Sequence, residues 1–268
     1  MKKMKITIVT VNLNGNRFLA QAIDSVLRQD YPELEHIIID GGSTDGSLAT
    51  IEQAAGRDQR ISWTSGSDQG IADAMNKGIS LASGDVVGFL HSDDCYPTAD
   101  VITSVVAGFE GSPGAIWLTG GIDFINAQGY CFRSFPVRTY NYNRLLRSNQ
   151  LFHPATFVRT DILRQNQFDP NLKLAMDYDL WLRIGSLSAP VLLDRSLACF
   201  RVHSGSCSIH YSDAALVEEY AIRRHYLRAM GQVAFPHYLA CLVKRVLNRA
   251  FVHGLLKAGS LERRSCPR

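Results

Sequence analysis

The sequence predicts an α/β domain with a mostly parallel central sheet flanked by helices, followed by a C-terminal helical extension. Two observations carry this. Over residues 6–90, four short apolar runs alternate with helix-period segments through short loops, the pattern of parallel strands joined by crossover helices. From residue 212 the chain turns helix-periodic and basic. The boundary therefore falls between a domain over 1–211 and an extension over 212–268.

The elements follow in order. "ITIVTVN" (6–12) is an apolar, β-branched first strand, and 17–29 has helical period. "HIIID" (36–40) is the second strand, and "GGSTDG" turns into a helix over 47–55. "RISWTS" (60–65) is the third strand, followed by a helix over 71–82, and "DVVGFL" (85–90) is the fourth. A helix near 99–109 precedes a strand at "AIWLTGG" (115–121). Next comes an aromatic-rich stretch with Tyr130, Phe132, Phe135, Tyr140 and Tyr142. In 175–187, Leu180, Ile184 and Leu187 keep helical spacing, and Asp177 and Asp179 sit in the first turn, where acids suit the helix dipole. Trp181, Leu180 and Leu182 read as core. "PVLLD" and "LACFRVH" are two further strand-like pieces.

Bulk properties narrow the function. The 268 residues are 46% hydrophobic and carry a net charge of +3, ordinary for a globular protein and no sign of a nucleic-acid partner. Six scattered cysteines without CxxC spacing read as reduced thiols, not a zinc or disulfide framework. "MKKMKITIVTVNLNG" is too short and too polar for a signal peptide, and no run of about 18 uncharged apolar residues exists. A cytoplasmic location is expected. In the extension, apolar residues at 239, 242, 243, 246, 247, 250 and 251 share one helix face among many Arg and Lys. Such a helix either lies peripherally on the inner face of the cytoplasmic membrane or packs on the domain.

In open α/β sheets, ligands bind beyond the carboxyl ends of the strands. Those ends here carry Asn12 and Asn14, Asp40, Ser67 and Asp68, then His91, Asp93 and Asp94. Each alone has a plain reading as a turn residue; together they make an oxygen-rich rim. Asp93 and Asp94 are adjacent carboxylates after a buried strand, and their repulsion needs compensation. A helix cap would provide it, and so would Mg²⁺ or Mn²⁺ shared with substrate phosphates. Neither GxGxxG nor a P-loop is present, which argues against dinucleotide-binding dehydrogenases and P-loop NTPases.

Three ordered blocks, "SVLRQDYPELEHIIIDGGSTDGS" (25–47), "SDQGIADAMNKGISLASGDVVGFLHSDD" (67–94) and "AMDYDLWLR" (175–183), resemble the family-2 glycosyltransferases. The resemblance spans about residues 4–210 and is strongest to small bacterial members that build exopolysaccharide, capsule or O-antigen chains. It implies a GT-A nucleotide-sugar fold, an inverting transfer, a nucleotide-sugar donor and a saccharide or lipid-linked acceptor. It places Thr10, Asn12, Asp40 and Asp68 at nucleotide-binding positions and Asn76 and Lys77 on the donor side. Asp93 and Asp94 fall on the metal- and diphosphate-binding motif, and Asp177 on the catalytic base, with Asp179 as either a weaker candidate for that role or a support of the helix start. His153 in "HPATF", and Arg201 and His203 in "RVHSGSCS", match segments that touch acceptor or diphosphate. His91 departs from the family: many members have an acid there. That departure supports the alternative of a degenerate, non-catalytic nucleotide-sugar-binding partner in a polysaccharide assembly complex; the intact Asp93, Asp94 and Asp177 count against it. A nucleotidyltransferase is disfavoured because "NLNGNRF" lacks a Gly-rich basic loop. The stretch 130–142 either stacks on an acceptor sugar or, as the favoured reading, packs as an edge strand or loop.

Overall fold

A computed structural model describes residues 3–203 and 205–231 together with 254 and 257. The basic amphipathic face at 239–251 lies outside the described residues.

The first half folds as the alternation dictates. Strand β1 (Ile6–Asn12) is followed by α1 (Asn16–Leu27), β2 (Leu34–Asp40), α2 (Ser47–Ala55), β3 (Ile61–Ser65), α3 (Ile71–Leu81) and β4 (Val86–Phe89). β1 pairs in parallel with both β2 and β4, and β2 with β3. Successive β1 side chains face opposite ways. Ile6 and Ile8 pack with Val101, Val105 and Phe109 on one face. Val9 and Val11 pack with Ala72, Met75 and Ile79 on the other. Gly78 lets α3 approach closely, since a Cβ there would stand 2.3 Å from Val9 Cγ1.

The second half is mixed. It runs α4 (Val101–Glu110), β5 (Trp117–Ile125), β6 (Cys131–Phe135), the short α5 (Tyr142–Leu145), a 3-10 turn (His153–Ala155), β7 (Thr156–Arg159) and α6 (Thr160–Gln165). Then come α7 (Met176–Leu187), β8 (Val191–Arg201), the short α8 (Cys207–His210) and α9 (Ser212–Ala229). β7 runs antiparallel between β4 and β5, giving the order β3-β2-β1-β4-β7-β5-β6, with β8 parallel to β5. The two expected pieces "PVLLD" and "LACFRVH" are one strand, β8. Register shifts at Gly120 and Gly121 of β5 absorb the residues between them. The fifth strand reaches Ile125, past the expected stop at 121, because β6 pairs with Ile122 to Ile125.

The aromatic stretch packs. Phe135 meets Phe124 at 4.7 Å, and Tyr140 stands edge-on to Trp117 at 5.7 Å. The Tyr140 and Tyr142 hydroxyls donate to the carbonyls of Gly185 and Leu182, tying the stretch to α7. Only Tyr130, half exposed, keeps an open ring among these tyrosines. Among the described residues, no helix is long and apolar enough to cross a membrane.

Candidate active site

The register of the parallel strands builds the first part of the rim. Asn12 stands beside Asp40, and Asp40 beside Ser65. Asn12 Nδ2 donates to Asp40 Oδ1 at 2.7 Å and to Ser43 Oγ at 3.1 Å. Asp40 also accepts from the Ser43 hydroxyl, the Ser65 hydroxyl and the N–H groups of Gly42 and Ser43. Burial works against its ionisation, but the bonds from Ser43, Ser65 and Asn12 outweigh it and hold the carboxyl below its ordinary range. The turn needs Gly42, whose φ is 86°. Asn14, at φ 52°, closes it by accepting from the Thr44 N–H. Asp68 reaches the same place from the loop after β3. Its Oδ1 accepts from the Gly70 N–H, and its Oδ2 lies where a side chain on Gly41 would stand.

The end of β4 opens a second centre. Asp93, Asp94, His91, Asn149, His153 and Asp177 line one cavity of about 360 Å³, walled by Ile71, Met75, Leu174, Met176 and Leu216. Asp94 is 2% exposed, and its Oδ1 accepts the Arg201 N–H at 2.9 Å. Burial and the neighbouring Asp93 push its carboxyl well up. Asp93 goes the other way: burial opposes ionisation, but the side-chain hydrogen bond with His203 holds its carboxyl low. His203 Nδ1 accepts from the Gly205 N–H, so Nε2 carries the proton and donates to Asp93 Oδ2 at 3.2 Å. His91 and His153 stand edge to face at 5.3 Å. Burial lowers both imidazoles, so both are neutral at pH 7. Both ring nitrogens of His153 are buried without a hydrogen bond.

Asp177, in the first turn of α7, lines the same cavity. Its Oδ1 accepts from the Tyr178 N–H at 2.7 Å, and its Oδ2 from Asn149 Nδ2 at 3.3 Å. Burial, with Glu218 adding to it, pushes the carboxyl up to about 6 against those two bonds. Asp179 is committed elsewhere, to Arg183 at 2.9 Å and the Tyr226 hydroxyl at 3.1 Å.

Several residues singled out in the sequence serve the frame. Thr10 is buried, with its hydroxyl 2.9 Å from His36 Nε2. Asn76 uses both ends of its amide on the Phe168 backbone. Lys77 braces the loop before α3 through Asp73 and the Ser67 carbonyl. The Arg201 guanidinium donates to the carbonyls of Asp93, Asn126 and Ala127 and to Gln21, and it stacks on Phe18 at 4.6 Å. It thus holds the acidic loop from behind and does not line the cavity. Sequence reasoning missed Asn149, which sits in an irregular segment with no periodic signal. It also missed the wall that α9 contributes through Ser212, Ala215, Leu216 and Glu219.

The profile described as "Glycosyl transferase family 2" matches residues 7–162. The chain belongs to glycosyl transferase family 2. An uncharacterized glycosyltransferase of Mycobacterium tuberculosis is 30% identical over 199 residues, covering 72% of this chain and 73% of that protein. A PGL/p-HBAD biosynthesis glycosyltransferase of Mycobacterium bovis is 29% identical over 191 residues, covering 70% and 72%. Among solved structures, Staphylococcus aureus TarS 1–349 in complex with UDP-GlcNAc superposes with a TM-score of 0.62. The match covers 84% of this chain and 72% of that one, at 17% identity. The mannosyltransferase PcManGT from Pyrobaculum calidifontis, in complex with GDP-Man and Mn²⁺, gives 0.63 over 97% and 74%, at 17% identity. The fold of this glycosyltransferase is GT-A.

GT-A enzymes commonly use a divalent cation. Among the described residues, no three His, Cys, Asp or Glu side chains form a ready-made cage for one. The pair Asp93 and Asp94 nevertheless fits a hard cation that keeps water and phosphate oxygens in its shell. The Asp94 carboxyl, raised by burial and by its like-charged neighbour, is the group that a cation would relieve.

Proposed function

We propose that the protein is an inverting glycosyltransferase that moves a sugar from a nucleoside-diphosphate sugar to a hydroxyl of a lipid-linked saccharide acceptor in cell-surface polysaccharide biosynthesis. The observation that carries this is the convergence of Asp93, Asp94 and Asp177, from β4 and α7, on one cavity. The UDP-GlcNAc and GDP-Man bound by the two structural neighbours support the donor class.

Asp177 is the general base. With its carboxyl near 6 it is ionised at pH 7–8 and yet more basic than an ordinary aspartate. Asn149 and the Tyr178 N–H orient it towards the acceptor hydroxyl. Attack from the Asp177 side, with the diphosphate leaving towards Asp93 and Asp94, is a single displacement that inverts the anomeric carbon. Asp93 and Asp94 are the residues that would hold Mg²⁺ or Mn²⁺, whose chemistry is to neutralise charge on the leaving diphosphate. Arg201 and His203 keep the two acids in place. Asp68 and the turn held by Asp40 and Asn12 receive the nucleoside at the β1–β3 rim. His153 lines the cavity and contacts the sugar or the acceptor.

The test is release of nucleoside diphosphate from UDP-, GDP- and dTDP-sugars with Mn²⁺, Mg²⁺ or EDTA. A single donor should give a metal-dependent signal that is lost in Asp94→Ala. Absence of nucleotide binding by every member of the panel would overturn the assignment.

A further inference from the structure

The family profile ends at residue 162, and the sequence places the domain boundary at 211, yet α9 lies beyond both and reaches the base. Glu218 accepts three consecutive backbone N–H groups. Its Oε1 takes that of Lys173 at 3.0 Å, and its Oε2 those of Leu174 and Ala175, each at 2.7 Å. These residues lead directly into α7, whose first turn carries Asp177. Further along α9, Arg223 is 1% exposed and donates to the Tyr178 hydroxyl at 3.5 Å, while the Tyr226 hydroxyl donates to Asp179. Residues 218, 223 and 226 spread over about 140° of the α9 circumference, at about 100° per residue. Together they grip the chain on both sides of Asp177.

We propose that α9 is part of the catalytic apparatus and that Glu218 is the positioning residue for the Asp177 base. This rests on the reading of Asp177 as that base. Backbone N–H groups are obligatory donors, and three of them anchored by one carboxylate leave this segment a single placement. Near-attack geometry is sensitive to shifts of about 1 Å, which cost on the order of 100-fold in rate. The charged and titratable groups that share the cavity with Asp177 are Glu219 from α9, Lys173 from the preceding loop, and Asp93 and Asp94 with neutral His91 and His153, while Glu218 acts on it electrostatically.

The test uses the full chain with Glu218→Ala and Glu218→Gln. Carboxyl-carbon NMR of labelled aspartate reads the Asp177 titration directly, with Asp177→Asn assigning the signal. The amide in Glu218→Gln keeps one acceptor oxygen and loses the charge, so the Asp177 midpoint should move to lower pH. With the donor that turns over in the nucleotide-sugar panel, Glu218→Ala should lower kcat by roughly 10- to 100-fold and leave the donor KM within about twofold. An unmoved midpoint in Glu218→Gln overturns the proposal. So does a folded Glu218→Ala protein with the parental kcat, or one whose loss lies in KM. An active Asp177→Asn protein would instead remove the base reading itself. If no donor turns over, the NMR midpoint decides alone.

Discussion

The two halves of the rim treat their polar groups in opposite ways. At the ends of β1, β2 and β3, Asn12, Asp40, Ser43 and Ser65 bond to one another and Asp40 alone accepts five, which leaves only Asn12 Oδ1 of that group buried without a partner. Around the cavity, His153 has no bond at either ring nitrogen, Asp94 is a buried acid beside another acid, and the Asp177 carboxyl titrates near 6. A closed network fixes a surface. An open set of desolvated groups stores the tendency to take protons, cations and hydroxyls, which is what chemistry requires. The difference follows from register in the first case and from long-range assembly in the second.

The largest effect that would sharpen this contrast is at the open half. Asp177→Asn should lower turnover by roughly 10³-fold with donor affinity unchanged, measured by product release and by calorimetric titration with the donor nucleotide. Equal loss of both would merge the two halves into one binding site.

The second concerns the sheet beneath the closed half. His36 is fully buried, and burial, with Arg60 adding to it, lowers its imidazole to about 3. The unfolded chain takes up a proton near 6.5, the folded chain only near 3, so stability falls as pH drops through that window. The loss by about pH 3 should be on the order of 4 kcal/mol. His36→Gln should flatten the slope in denaturant titrations between neutral and acidic pH; an unchanged slope would assign the acid loss to other groups.

The third breaks the closed network itself. Asp40→Ala strands the Asn12, Ser43 and Ser65 donors and should cost about 3 kcal/mol by chemical denaturation. A change under about 1 kcal/mol would mean that the network is no tighter than the open half.

The smallest effect runs against intuition. The Asp177 carboxyl is raised from 3.8 to about 6, so its contribution to stability is present below pH 3.8 and is lost as pH rises through 6. At about pH 8, Asp177→Asn should therefore stabilise the fold by on the order of 1–2 kcal/mol even as turnover falls. In the parent, kcat should rise with pH on an acidic limb near 6, measured with the active donor from about pH 5 to 8. A destabilised Asn variant would mean that the carboxylate serves the frame.

Much of this was legible in the residues. The apolar runs and their turns determined four parallel strands, because period and β-branching are local properties, and with them which acids stand at strand ends. The blocks around 25–47, 67–94 and 175–183 named the family and pointed to Asp93, Asp94 and Asp177. What each polar residue does was decided only by tertiary structure, because a hydrogen-bond partner is a property of space. The family resemblance puts Arg201 and Asn76 among the ligand contacts, yet their partners include backbone groups 75 and 92 positions away. β7 inserts antiparallel between β4 and β5, so that α7 and α9 meet the end of β4 across one cavity. No local signal in 153–165 or 212–229 announces that meeting. The sequence supplied the carboxylates; burial and the neighbours that packing brings decided which are locked and which are left to react.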